Sequence, residues 1–474
     1  MAGVLVSAAH KSSGKTTLAI GLAAALATQG LRVQPFKKGP DYIDPMWLSR
    51  AAGRPCINLD PYLMPGAELE RAYARHAAGA DIALVEGNKG LYDGLALDGS
   101  NSNAALARQL GLPVLLVIDA RGMTRGIAPL ILGYQAFDCE VRIAGVILNQ
   151  VGGPRHEAKL RAVVEHYTDV PVLGAVAHDE RLAMTERHLG LTPDTELHDA
   201  QQRVRSIGAV VAGQVDLQRL QALAATAAPL PATPPREAAR PQGRKVRIAI
   251  ARDRAFGFYY ADDLAALEAA GATLLPLDTL HDTRLPPAVD GLFIGGGFPE
   301  ACMEALEANV ALRAALREAI EGGLPTYAEC GGLMYLSRSI AWNGRRAHMV
   351  GAIPGDAVMH ARPVGRGYVH LQETAAFPWP GPAGSGVRAH EFHHSSLENL
   401  DPGVCFAYRV TRGHGIDGLH DGIVHGNLLA SYAHRRSSDG SPWAERFVAF
   451  VRRVQQERRA RPAAQAPTIA GATA

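Results

Sequence analysis

Ala9-His10-Lys11-Ser12-Ser13-Gly14-Lys15-Thr16-Thr17 is the stretch from which the first half of the chain is read. It follows Val4-Leu5-Val6, an apolar run with the length of a short buried strand. It precedes Leu18, Leu22 and Leu26, which recur at the spacing of one helix face. Strand, Gly/Ser loop and helix form the context of a phosphate-binding loop. Its backbone N–H groups turn inward, and the helix N-terminus adds partial positive charge. Gly14, Lys15, Thr16 and Thr17 are the expected nucleotide contacts, with Lys15 on the terminal phosphates and the Thr16 hydroxyl on Mg²⁺. The usual pattern opens with Gly, and Ala9 stands there instead. A turn that merely contains lysine would need neither the strand before it nor the helix after it.

Working outward, Ile82–Val85, Val114–Ile118, Ile143–Leu148 and Val172–Val176 read as further buried strands separated by helices. That alternation predicts a parallel sheet covered on both faces. Ligands in such sheets meet the carboxyl ends of the strands. Lys37, Lys38, Asp41 and Asp44 follow the strand near Val33. The lysines suit a phosphate or carboxylate, and the aspartates suit Mg²⁺. Glu86 closes an apolar strand, where an acid needs a partner, and is a second expected Mg²⁺ ligand. Asn149 closes another, where its amide suits an adenine edge.

A second α/β unit begins at Val246–Ile250. Gly291–Ile294 runs into Gly295-Gly296-Gly297-Phe298-Pro299-Glu300, and Thr326-Tyr327-Ala328-Glu329-Cys330-Gly331-Gly332 reads as strand, nucleophile and helix start. A helix N-terminus beside Cys330 favours its thiolate. Glycine N–H groups at Gly296, Gly297 and Gly331 suit an oxyanion hole. Cys56, Cys139, Cys302 and Cys405 read as structural thiols. Candidate bases lie in His390-Glu391-Phe392-His393-His394 and at His434, and the former fits no zinc spacing. The histidines from His414 to His425 read as loop.

Of the 474 residues, 47% are apolar and 20% charged, and formal net charge is +2, which draws the chain toward neither nucleic acid nor membrane. No run is long enough to span a bilayer. The chain enters its first strand at once, so no cleaved signal peptide is expected. Five scattered cysteines make no disulfide framework, and a cytoplasmic setting follows. The expected organisation is a nucleotide-binding domain over 1–221, a Pro/Ala-rich linker over 222–244, a second domain over 245–456 and a disordered tail over 457–474.

These motifs together resemble the cobyrinate a,c-diamide synthase family along nearly the whole chain. The match is carried by the phosphate loop, Lys37 with Gly39–Asp44, Glu86-Gly87 with Gly90–Gly94, Glu186–Leu191, Gly295–Glu300, Ala328–Gly332 and His390–His393. The resemblance implies two doubly wound, mostly parallel α/β domains. One is like dethiobiotin synthetase and the other is a class I glutamine amidotransferase fold. It implies ATP-dependent, Mg²⁺-assisted activation of a tetrapyrrole carboxylate and amidation by ammonia from glutamine. Cobyrinate is the leading substrate, and sirohaem or another sirohydrochlorin derivative the alternative. By the same carry-over, Thr16, Asp41 and Glu86 hold the metal, Asn149 meets adenine, and Lys37, Tyr42, Asp44 and Asp93 face the substrate. Cys330 forms the thioester, Gly297 and Gly331 hold its oxyanion, and His434 raises its nucleophilicity. Class I amidotransferases commonly carry Glu two residues past that histidine. Arg436 stands there, so a Cys330–His434 dyad is implied. Homodimer formation is left open. A partition-type ATPase switch fits less well, since its signature lysine would fall at His10 and it needs no cysteine elbow.

Overall fold

The computed structural model describes residues 1–64, 66–187, 190–197, 199–230, 244–381 and 384–460. They fold into two compact units. One holds residues 1–230 with Tyr260–Asp262, and the other holds 244–259 with 263–460.

The first unit is built on β1 (Gly3–Ala8), β2 (Val33–Lys38), β3 (Ile57–Leu59), β4 (Ile82–Glu86), β5 (Val114–Asp119), β6 (Ile143–Val151) and β7 (Val172–Ala177). They lie in the order β3-β2-β4-β1-β5-β6-β7, every pairing parallel. Their Val/Ile/Leu runs are buried because helices cover both faces. β1 sits between β4 and β5, and β2 sits beside β4. The segments leaving β1, β2 and β4 therefore emerge together at one edge of the sheet. Helix α1 (Lys15–Thr28) is buried over more than the Leu18/Leu22/Leu26 stripe, since Ala19, Ile20, Ala23 and Ala25 are covered too. Helix Ala200–Gln214 lies against it closely enough that a Cβ on Gly21 would meet Val211 Cγ2 at 2.4 Å.

The second unit is built on a nine-stranded sheet in the order Ala272–Leu277, Val246–Ala251, Gly291–Ile294, Thr326–Glu329, Leu428–Ser431, His420–His425, Cys405–Arg412, Gly365–Glu373 and Gly386–His393. The first five are mutually parallel and the remainder antiparallel. Gly386–His393 alternates buried and exposed residues, as an antiparallel strand with one solvated face does.

Two expected boundaries move and one expected loop is a strand. Position 221 falls inside helix Leu217–Ala224, and the Ala228 N–H still donates to the Gly111 carbonyl at 2.9 Å. Helix Trp443–Ala460 runs past 457 because Trp443, Phe447, Val451 and Val454 bury one face. His420–His425 is a strand rather than loop, paired on both sides. Within the expected linker and tail, 231–243 and 461–474 lie outside the described residues, as do His188 and Leu189 of the Glu186–Leu191 motif.

Phe447 is fully buried against Tyr327 and Trp379. Truncating such a ring removes its transfer free energy and leaves a cavity. Phe447→Ala is expected to lower unfolding free energy by about 3–5 kcal/mol in urea denaturation. A loss under about 1 kcal/mol would show that the helix is not part of the second unit's core.

Candidate active sites

The phosphate loop is held from behind. Gly14 has φ +82°, and a Cβ there would sit 2.2 Å from Asn149 Nδ2, so both its backbone and its packing require glycine. Asn149 Nδ2 donates to the Ser13 carbonyl at 2.9 Å. The amide expected at an adenine edge thus ties the end of β6 to the loop. Thr17 lies half-buried in the first turn of α1.

Glu86 is fully buried at the end of β4. Its Oε1 accepts from Lys15 Nζ at 2.6 Å and from Thr16 Oγ1 at 2.5 Å. Its Oε2, buried and without a hydrogen bond among the described residues, faces Lys37 Nζ at 3.1 Å. Lys37 donates to Asp44 Oδ2 at 2.5 Å, and Thr16 Oγ1 lies 3.3 Å from that oxygen. Burial alone would lower the Lys37 ammonium. Asp44, Glu86 and Asp41 outweigh burial and raise it well above lysine's ordinary value. At Lys15 burial prevails and the shift is downward.

Sequence reasoning places Asp41 at the metal and Asp44 at the substrate. In the fold it is Asp44 that hydrogen-bonds Thr16. Asp41 spends Oδ1 on the N–H groups of Ile43 and Asp44, capping helix α2 (Ile43–Ala52), and its Oδ2 stands 3.7 Å from Lys37. Among the described residues no group of three or more His, Cys, Asp or Glu is arranged as a metal cage. A Mg²⁺ site shared with a nucleotide needs less. The Thr16 hydroxyl, the unbonded Glu86 Oε2 and Asp44 are hard oxygen donors that fit it.

Around this cluster, Tyr42 is the residue that leads into α2, and exposed Asp93 accepts the Gly90 N–H at 2.9 Å. Lys38 Nζ bonds Asn88 Oδ1 at 3.0 Å and the Asn101 carbonyl at 2.7 Å, joining both ends of the loop that carries Asp93. Burial pushes its ammonium down to about 8.

In the second unit, strand Thr326–Glu329 ends at Cys330, whose φ of +48° is strained for a side-chain residue, and helix Gly331–Leu336 follows. This is the expected elbow. A Cβ on Gly331 would lie 3.0 Å from Gly297 N, so the two glycine backbones expected at the oxyanion touch beside it. Leu428–Ser431 pairs in parallel with the nucleophile strand and delivers His434 from the next turn. His434 hydrogen-bonds Cys330, and its Nδ1 lies 3.4 Å from Glu329 Oε2.

Burial would lower the His434 imidazole. Cys330 and Glu329 instead raise it to about 10. Sequence reasoning offers His434 as a candidate base, and its two neighbours favour the protonated ring.

The His390–His393 segment forms the wall. His390 pairs backbone to backbone with His434, and the Cys330 sulfur lies 4.0 Å from the Phe392 carbonyl oxygen. Glu391 accepts the His414 and Gly415 N–H groups at 2.7 and 2.9 Å, and His393 stacks on Tyr432 at 3.9 Å. Sequence reasoning misses two contributors. Glu329 closes a buried strand, the same signal that singles out Glu86. Buried Asp421 accepts the Tyr432 and Ala433 N–H groups, each at 3.0 Å, fixing the turn before His434.

The charged His434 predicts how Cys330 reacts. Iodoacetamide should alkylate it at pH 7 about tenfold or more faster in the parent chain than in His434→Ala, since a neighbouring cation favours the thiolate. Equal rates in the two would show that His434 does not activate the thiol.

Two family models match the chain. Residues 5–191 match the CobQ/CobB/MinD/ParA nucleotide binding domain, and residues 247–440 match the CobB/CobQ-like glutamine amidotransferase domain. A protein of Magnetococcus marinus called cobyrinate a,c-diamide synthase is 48% identical, over 95% of this chain and 97% of its own length. Proteins of that name from Methanosarcina acetivorans and Listeria monocytogenes are 42% and 40% identical. Each alignment covers 91% of this chain, with 91% and 95% of the relatives. Among the described residues no helix is long and apolar enough to cross a membrane. With both domain models matched and identity spread over nearly its full length, the chain belongs to the cobyrinate a,c-diamide synthase family of glutamine-hydrolysing ligases.

Proposed function

We propose that the chain uses ATP to amidate the a- and c-acetate carboxylates of cobyrinate, taking nitrogen from glutamine or free ammonia and passing through an acyl phosphate. The observation that carries this reading is one chain holding two prepared sites: the Glu86 cluster under a phosphate loop, and the strained Cys330 elbow facing a charged His434.

In the second unit the Cys330 sulfur attacks the glutamine side-chain carbonyl. The N–H groups of Gly297 and Gly331 hold the oxyanion. The His434 imidazolium gives its proton to the departing nitrogen, ammonia leaves, and water hydrolyses the thioester to glutamate. In the first unit Lys15 exchanges Glu86 for the ATP phosphates. Thr16, Glu86 and Asp44 would hold Mg²⁺, which would supply charge neutralisation at the transferring phosphoryl group. A substrate carboxylate oxygen takes the γ-phosphoryl group and ADP leaves. Ammonia then attacks the acyl carbon, and phosphate departs with the former carboxylate oxygen. Tyr42, Asp93 and Lys38 border the place where a polycarboxylate would lie, and Asn149 remains the residue assigned to the adenine end.

Cys330→Ala is expected to abolish glutamine-dependent amidation while high ammonium still supports it. Lys15→Ala should stop amide formation from both nitrogen sources, since losing a charge on the transferring phosphoryl group costs several kcal/mol. Amide made by Lys15→Ala with ammonium would contradict the phosphorylation step. Mass spectrometry of parallel incubations with cobyrinate and sirohaem tests the substrate. Two amides on cobyrinate are expected, and amides on sirohaem alone would replace the leading choice.

A further inference from the structure

We propose that Glu329, the residue immediately before the nucleophile, is the positioning residue for His434, standing in for the carboxylate that class I amidotransferases carry two residues past the histidine. Arg436 occupies that usual place and is buried, so no acid reaches His434 from its own loop by that route. Glu329 reaches it from the adjacent strand. Ser431 and Glu329 are register partners, so the turn bearing His434 leaves its strand beside the glutamate side chain.

The carboxylate is itself fixed. Oε1 accepts the Tyr327 hydroxyl at 2.6 Å and the Arg435 backbone N–H at 2.9 Å, which turns Oε2 toward His434 Nδ1 at 3.4 Å. Both side chains are only 4% exposed. A carboxylate facing Nδ1 keeps a proton on that nitrogen and aims the other ring nitrogen at sulfur. The titratable neighbours act in the same sense. Cys330 and Glu329 hold the imidazole charged, and burial together with His434 pushes the His390 imidazole down to about 3, leaving it neutral. One strand therefore fixes both members of the pair: its last residue orients the histidine and the next supplies the thiol.

This inference rests on the reading of Cys330 as the glutaminase nucleophile, and the test separates the two. Glu329→Gln keeps an oxygen for Tyr327 and Arg435 but removes the charge. Glutaminase kcat should fall on the order of a hundredfold with KM for glutamine little changed. Ammonium-driven amidation should persist in the same preparation, which certifies the fold. Alkylation of Cys330 by iodoacetamide at pH 7 should slow by about tenfold, since a less stabilised imidazolium holds a thiolate less well. Glu329→Asp should recover part of the glutaminase rate. An unchanged glutaminase rate and alkylation rate would overturn the proposal, as would equal loss with both nitrogen sources, which marks a structural residue. Cys330→Ala run alongside guards the underlying reading: glutamine use surviving in that variant would refute the nucleophile itself.

Discussion

A fully buried carboxylate shared by two lysines and a threonine sets the terms for the first unit. Glu86 holds Lys15, Thr16 and Lys37 at once, with Asp44 closing the far side of Lys37. An isolated buried carboxylate would cost several kcal/mol in desolvation, so these partners are obligatory. They also explain why β1, β2 and β4 are neighbours: β2 and β4 bring Lys37 and Glu86 from their carboxyl ends, and the loop leaving β1 leads to Lys15 at the start of α1. When a nucleotide enters, it exchanges one set of charged partners for another instead of ordering side chains from solvent. Preorganisation of that kind is where phosphoryl-transfer sites obtain much of their rate.

The second unit applies the same strand-end rule to different chemistry. Thr326–Glu329 and Leu428–Ser431 run in parallel, so Cys330 and His434 leave adjacent strands on one side of the sheet. The elbow strain at Cys330 is maintained by contacts on all sides. Its N–H bonds the Ser431 carbonyl at 2.7 Å, and a Cβ at Gly332 would meet the Ile294 carbonyl at 2.3 Å. Asp421, buried and raised to about 6 by that burial, clamps the turn preceding His434. The antiparallel extension brings Phe392 and the His390 backbone to the thiol, which gives the His-Glu-Phe-His segment a structural reason without a metal.

Legibility follows local pattern. The phosphate loop, Glu86 and the Cys330 elbow are readable because each joins an apolar strand to a residue type that strand would otherwise exclude. Glu329 carries the same signal, masked by the more conspicuous cysteine beside it. Which of Asp41 and Asp44 bonds Thr16 is not readable, because two acids three positions apart differ only in which one caps the helix. Nor is the ionisation of His434, which depends on Glu329 arriving from another strand. The antiparallel strands are hidden because their alternating, histidine-bearing sequences lack the continuous apolar runs that mark the parallel core. The reach of helix Trp443–Ala460 is masked by its arginine-rich outer face.

On the proposed route the substrate carboxylate is phosphorylated before ammonia displaces the phosphate. That order is tested most directly by following the carboxylate oxygen. Cobyrinate labelled with ¹⁸O in its acetate carboxylates, incubated with ATP and glutamine, should yield inorganic phosphate carrying one ¹⁸O for each amide formed, with ADP unlabelled. Phosphate free of label while amide accumulates would contradict the acyl phosphate, and label recovered in AMP would show that the carboxylate is activated by adenylyl transfer instead.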